Sequence, residues 1–185
     1  MAADMILTIE GKHFRRQYLL YIIEITQGND KHYYIGQTGD NHATTARPAF
    51  RRLAGHLEDR GRSKENQVYR YLAENVLKFS EAANKSENFD EKIKQAVEDY
   101  LVHSTIDMHV YSLQEFPPGI EREVHLKNVR KVRLFEKIVI DLFRKHQKKI
   151  ANKMLSKPPI GVDCPYPEIL NRIESDFKLN QKTNQ

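Results

Sequence analysis

Two runs rich in aromatic and β-branched residues, YLLYIIEI at 18–25 and HYYIGQ at 32–37, stand on either side of QGND. Residues of this kind favour a pleated strand, and a cluster of turn formers between two such runs predicts a β-hairpin. After TGDN, Thr44 or Thr45 is placed to cap a helix and Pro48 suits its first turn. Phe50, Leu53 and Leu57 then form a stripe at helical spacing that runs towards Gly61. Residues 65–79 and 89–103 read as two more helices, joined by the polar loop EAANKSEN. MHVYSL at 108–113 alternates like a strand and stops at Pro117, Pro118 and Gly119. A long helix is predicted from about 121 to 150, then a proline-rich loop, a short helix near 167–177 and a frayed tail. This order describes a small α/β (α+β) domain: a three-stranded antiparallel-type sheet flanked by helices. Residues 1–160 form its body with a helical insertion at about 61–105, and 161–185 form a C-terminal extension.

Composition narrows the class. At 185 residues the chain suits one domain, and 39% hydrophobic with 30% charged residues excludes collagen-like, coiled-coil and wholly disordered classes. Cys164 is the only cysteine, which excludes an internal disulfide or a multi-cysteine zinc site and points to a reducing compartment. The longest apolar run, LLYII at 19–23, is too short to cross a bilayer, and MAADMILTIEGK lacks the pattern of a signal peptide. A cytoplasmic protein without membrane attachment is the expectation.

The formal charge of +5 is unevenly spread. Residues 44–72 carry seven basic side chains against three acidic ones, and residues 117–160 carry twelve against four, whereas 73–100 sum to −3. Two positive stripes suit a phosphate backbone, although solvated lysine- and arginine-rich helices would give the same count.

Taken singly, the polar residues leave alternatives open. Tyr21 and Tyr34 lie on neighbouring strands, where tyrosine is ordinarily core packing, although their phenols could face one another. Gly36 inside a strand marks a bulge or a close approach by another backbone or a ligand such as a phosphate. Arg52 and His56, four apart, share a helix face away from the Phe50, Leu53, Leu57 stripe, a face usually left to solvent. Glu136 projects into the broad apolar arc formed by Val132, Phe135, Ile138, Val139, Ile140, Leu142 and Phe143. A carboxylate there must pair with a cation, coordinate a metal or be protonated, and of these a divalent metal is the better reading.

These residues carry a resemblance. LLYII at 19–23 followed by YYIGQTGD at 33–40 resembles the signature pair of the GIY-YIG nuclease family. Leu19 and Leu20 stand where the first motif has glycine and isoleucine, Tyr21 matches its tyrosine, and Tyr34, Ile35 and Gly36 match the second motif. Arg52 and His56 in RRLAGHL, and Glu136 in LFEKIVI, match the family's helix positions, with Asn152 at the place of a later asparagine. The resemblance covers residues 18–60 and 107–152 and implies an endonuclease hydrolysing phosphodiester bonds in duplex DNA. It implies one Mg²⁺ or Mn²⁺ on Glu136, a phosphate-binding Arg52, and Tyr21 as general base with its pKa lowered by nearby cations. Tyr34 and His56 would orient the water or Tyr21. Because no second DNA-binding domain follows the long helix, the restriction branch is favoured, with a homodimer meeting through the acidic part of 61–105. The alternatives are a repair- or homing-type nickase, or a DNA-binding protein without turnover on the same fold.

Overall fold

Strand β1, Gln17–Gln27, is buried along nearly its whole length, on both faces of the sheet, so its side chains show no polar alternation. It pairs antiparallel with β2, Asp30–Gln37, through a two-residue loop of Gly28 and Asn29. Gly28 has φ +59°, a left-handed angle that costs glycine nothing. The hairpin is as the sequence predicts. The computed structural model describes residues 8–59, 66–79, 90–152 and 157–179. In chain order the other elements are α1 (Ala49–Leu57), α2 (Gln67–Tyr71), α3 (Glu91–Val102), β3 (Thr105–Glu115), α4 (Arg122–Lys145), β4 (Lys149–Ile150) and α5 (Pro167–Asp176). A 3₁₀ turn, Gly11–Phe14, precedes β1, and α2 runs on into a π turn, Leu72–Val76. The EAANKSEN loop and the tail beyond 179 lie outside the described residues, whereas α1 ends at Leu57, with Glu58 already extended, short of the end expected near Gly61.

The sheet is four-stranded and mixed, in the order β3-β1-β2-β4, where three antiparallel strands were expected. The fourth strand exists because α4 stops five residues short of its predicted end. Gln147 adopts φ +54°, and the amides of Gln147 and Lys148 bond back to the carbonyls of Arg144 and Phe143. That is a Schellman turn built without glycine, so no stop signal is visible in the sequence. Residues 149–150 are thereby released to run parallel to His32 and Tyr33. The start of α1 also differs from expectation. Pro48 occupies the N-cap position, and neither Thr44 nor Thr45 caps the helix. Thr45 instead bonds through its backbone to Asp40 and Ala43, closing a loop whose ends meet at the Gly39–Ala46 bridge.

Register assigns the sheet's two faces. Tyr21 is paired with Gly36 and Ile23 with Tyr34, so both tyrosines share one face. There Tyr21, Ile23, Ile25 and Tyr34 form a core with Val68, Leu72, Ile93 and Val97 from α2, its π turn and α3. The described part of 61–105 therefore covers the sheet face that carries the tyrosines. Opposite, Leu20, Ile22, Tyr33 and Ile35 pack against Phe135, Val139, Ile140 and Phe143 of α4, with Ile173 of α5 and Phe177 just beyond it. The C-terminal helix is thus part of the main core. His125 of α4 is buried and uses both ring nitrogens, Nδ1 with the Tyr18 hydroxyl and Nε2 with the Asp40 carbonyl, each at 2.7 Å. Nε2 must donate to that carbonyl, so Nδ1 accepts from Tyr18. This pins the 39–46 loop, and with it the start of α1, to the long helix.

Candidate active site

Tyr21 is fully buried, and its ring lies across Gly36 of the neighbouring strand. The close approach at Gly36 is therefore made by the Tyr21 side chain, where another backbone or a ligand such as a phosphate was expected. The phenol is met from above by α1, whose Arg52 and His56 are one turn apart. Arg52 Nε donates to Tyr21 Oη at 3.0 Å, and Tyr21 Oη lies 2.8 Å from His56 Nε2. The phenol oxygen accepts from Arg52, and in the His56 tautomer that carries its proton on Nδ1 the phenol's own proton is donated to Nε2. Tyr34 closes the group, its ring centroid 4.3 Å from the His56 ring and 6.3 Å from that of Tyr21.

The Arg52–His56 face is turned inward, contrary to the solvated face that its place outside the apolar stripe suggests. His56 is 1% exposed. The reason is that α1 is contacted on several sides: Leu53 and Leu57 pack into the core shared with α2 and α3, Phe50 meets Phe14, and the remaining polar side rests on the tyrosines. A stripe of three residues did not reveal the second buried face.

Burial dominates the electrostatics. It pushes the Tyr21 phenol up to about 12, with the Glu136 charge acting in the same direction, although Arg52 opposes both. This corrects the lowering by cations that the resemblance implies. Tyr34 is likewise held well above the usual tyrosine value, chiefly by burial and then by the charges of Tyr21 and Glu136. Glu136, half-buried on α4, is raised to about 7 by burial, against the pull of Arg133, Arg52 and Lys137. Its carboxylate makes no hydrogen bond or salt bridge to a described residue, so the expected choice between ion pair and metal ligand is not closed by a short ion pair. Arg133, three residues before Glu136 on the same helix, is a part of this environment that sequence reasoning missed. The i−3 spacing was the signal available.

Asn152 stands apart from the phenol cluster. Its Oδ1 accepts from the Ile35 amide at 2.9 Å and its Nδ2 donates to the Ile35 carbonyl at 2.6 Å. The side chain thus continues the β4 ladder past its last residue and fixes the backbone between Tyr34 and Gly36.

Among the described residues no three His, Cys, Asp or Glu side chains gather as a metal-binding group. A single unpaired carboxylate is compatible with Mg²⁺ or Mn²⁺, because such ions commonly keep several waters and complete their shell with phosphate oxygens. No described helix is long and apolar enough to cross a membrane. No family model, curated protein or solved structure matches this chain.

Proposed function

We propose that this protein is a metal-dependent endonuclease that hydrolyses phosphodiester bonds in DNA, of the GIY-YIG type that its motifs resemble. The observation that carries the reading is the placing of Arg52 Nε and His56 Nε2 of α1 each within 3.0 Å of Tyr21 Oη of β1, from two separated stretches of chain. Tyr34 and the unpaired Glu136 carboxylate lie within electrostatic reach of the same phenol. Core packing alone does not call for a cation and an imidazole on one buried hydroxyl.

In this mechanism Glu136 would hold the divalent cation, which when bound would supply polarisation of a phosphoryl oxygen and neutralise charge on the leaving oxygen. Arg52 presents a fixed positive charge towards the phosphate, where negative charge grows in the transition state. Tyr21 Oη takes a proton from the attacking water as its own proton passes to His56 Nε2. The water oxygen forms the new bond to phosphorus, the bond to the leaving oxygen breaks, and the imidazole ends protonated. A phenol at about 12 is a poor base if it must first ionise alone, and the imidazole at 2.8 Å removes that requirement. Tyr34 fixes the imidazole plane through its ring contact, and Asn152 fixes the strand beneath it.

The expected substrate is duplex DNA, cut by a homodimer of the restriction type, with the basic α4 facing DNA. Supercoiled plasmid incubated with Mg²⁺, with Mn²⁺ and with a chelator tests the activity, and light scattering tests the dimer. Cleavage that depends on the cation supports the enzyme. Tight binding without cleavage would instead support the non-catalytic DNA-binding reading, which the degenerate first motif favours. A monomer that only nicks would favour the repair or homing type.

A further inference from the structure

Segment by segment, residues 1–43 carry five acidic and four basic side chains and look electrostatically unremarkable. That count conceals a local cluster. From 11 to 17 the sequence is GKHFRRQ, with three formal positive charges and no acid. The 3₁₀ turn Gly11–Phe14 brings this cluster to the rim of an open groove whose walls include Lys12, His13, Arg15, Gln17, Ala49 and Ser112. Arg15 and Arg16 are exposed and also border the adjoining hollow, which contains Glu115. Neither arginine forms a salt bridge among the described residues. Lys12 pairs with Glu10 at 2.5 Å, an exposed pair of the kind worth little in water.

The groove is lined by register and helix neighbours of the candidate active site. Leu19 in its floor pairs with Ser112, and Tyr21, two residues further along the same face, pairs with Val110, which also lines the groove. Ala49 opens α1, and Arg52 and His56 follow on that helix. Beside the cations stands Phe14, 52% exposed, with its ring held against Phe50 at a centroid distance of 5.2 Å. Phe50 lies two residues before Arg52 on α1, so the exposed ring is tied to the element that carries the phosphate-directed arginine. A half-exposed aromatic among unpaired arginines is the pairing that single-stranded nucleic acid uses, with bases stacked on rings and phosphates on cations. In an intact duplex the base faces are stacked on one another and cannot reach Phe14.

The geometry points to a binding site in this groove for an unpaired nucleotide of a single-stranded DNA segment. Its base stacks on Phe14, and the flanking phosphates lie against Arg15, Arg16 and Lys12. The inference rests on the DNA-directed reading above but departs from its intact-duplex, restriction-type substrate: the substrate class becomes DNA with an unpaired stretch beside the scissile phosphate.

The test is fluorescence anisotropy in a chelating buffer, so that nothing is cut, comparing a duplex bearing a single-stranded tail with the same duplex blunt-ended. Phe14→Ala is expected to weaken binding of the tailed DNA about tenfold, as loss of one stacked base does, with the blunt duplex unchanged. Phe14→Tyr should restore the affinity. The double variant Arg15→Ala/Arg16→Ala, both on exposed side chains, should lower the salt slope for the tailed DNA by about 1.4, about 0.7 for each lost contact. If Phe14→Ala changes neither DNA, or weakens both equally, the site is overturned. An unchanged salt slope in the arginine variant overturns it independently. A protein that shows the Phe14 dependence but never cuts keeps the groove and loses the nuclease assignment. A protein that cuts plasmid with no Phe14 dependence keeps the nuclease assignment and loses the groove.

Discussion

Tyr21 and Gly36 are cross-strand partners in such close contact that a Cβ at Gly36 would stand 2.4 Å from the Tyr21 hydroxyl oxygen and 2.5 Å from the carbon bearing it. The glycine is what lets a full phenol lie flat on the sheet beneath α1. Gly36→Ala should therefore force the buried ring out of place and destabilise the fold by about 1–3 kcal/mol, as over-packing does. Urea denaturation measures this. Tyr21→Phe should not relieve the strain, because the ring carbons themselves clash, whereas Tyr21→Ala should. An alanine variant as stable as the parent would show that the ring is free to move.

Tyr21→Phe on its own retains the ring and removes the oxygen that accepts from Arg52 and reaches His56. Two polar partners left facing a hydrocarbon should cost about 1–3 kcal/mol of stability. Cleavage should fall by about 10²–10⁴, the range for a lost acid–base group, while DNA binding stays within a small factor. Arg52→Lys should also fail, since an ammonium cannot both meet Tyr21 Oη through a planar fork and face the phosphate. Single-turnover rates beside anisotropy separate the two effects. Full activity in Tyr21→Phe would return Tyr21 to core packing.

The hairpin was legible because strand propensity and turn chemistry agree over YLLYIIEI, QGND and HYYIGQ. The α1 pair was legible as a pair, through its spacing, but not as buried. Its burial depends on α2 and α3 arriving over the same sheet face, a tertiary fact with no local signal. The end of α4 was misread because a Schellman turn with Gln147 in place of glycine leaves an apparently uninterrupted helical pattern. Strand β4 was missed with it, and so was the reason Asn152 matters: it hydrogen-bonds to the Ile35 backbone across the sheet edge. The direction of the Tyr21 pKa was misjudged because counting nearby cations ignores desolvation, which here outweighs Arg52.

Glu136 supplies a pH dependence that runs opposite to that of a salt-bridged carboxylate. Its folded value, about 7, lies above the ordinary 4.5, so the folded state holds the proton more tightly than the unfolded chain. Its contribution is most favourable below pH 4.5 and is lost as pH rises through about 7. The half-buried position limits the loss to about 1–3 kcal/mol. Glu136→Gln, which mimics the protonated acid, should therefore melt higher than wild type at pH 8 and equally at pH 4. Millimolar Mn²⁺ should raise the wild-type melting temperature at pH 8 and leave that of the variant unchanged. Parallel curves for the two proteins across this range would contradict the assignment of a raised pKa.

The central claim is that Glu136 holds the cation on which strand scission depends. Single-turnover cleavage of end-labelled DNA by wild type and Glu136→Gln, each with Mg²⁺, with Mn²⁺ and with a chelator, measures it directly. Wild type should cut only with the cation, and Glu136→Gln should cut at no more than a few per cent of that rate while binding DNA within about threefold, since the lost contact acts on the reaction and not on the complex. Glu136→Gln cutting at the wild-type rate, or wild type cutting equally well in chelator, would contradict the account.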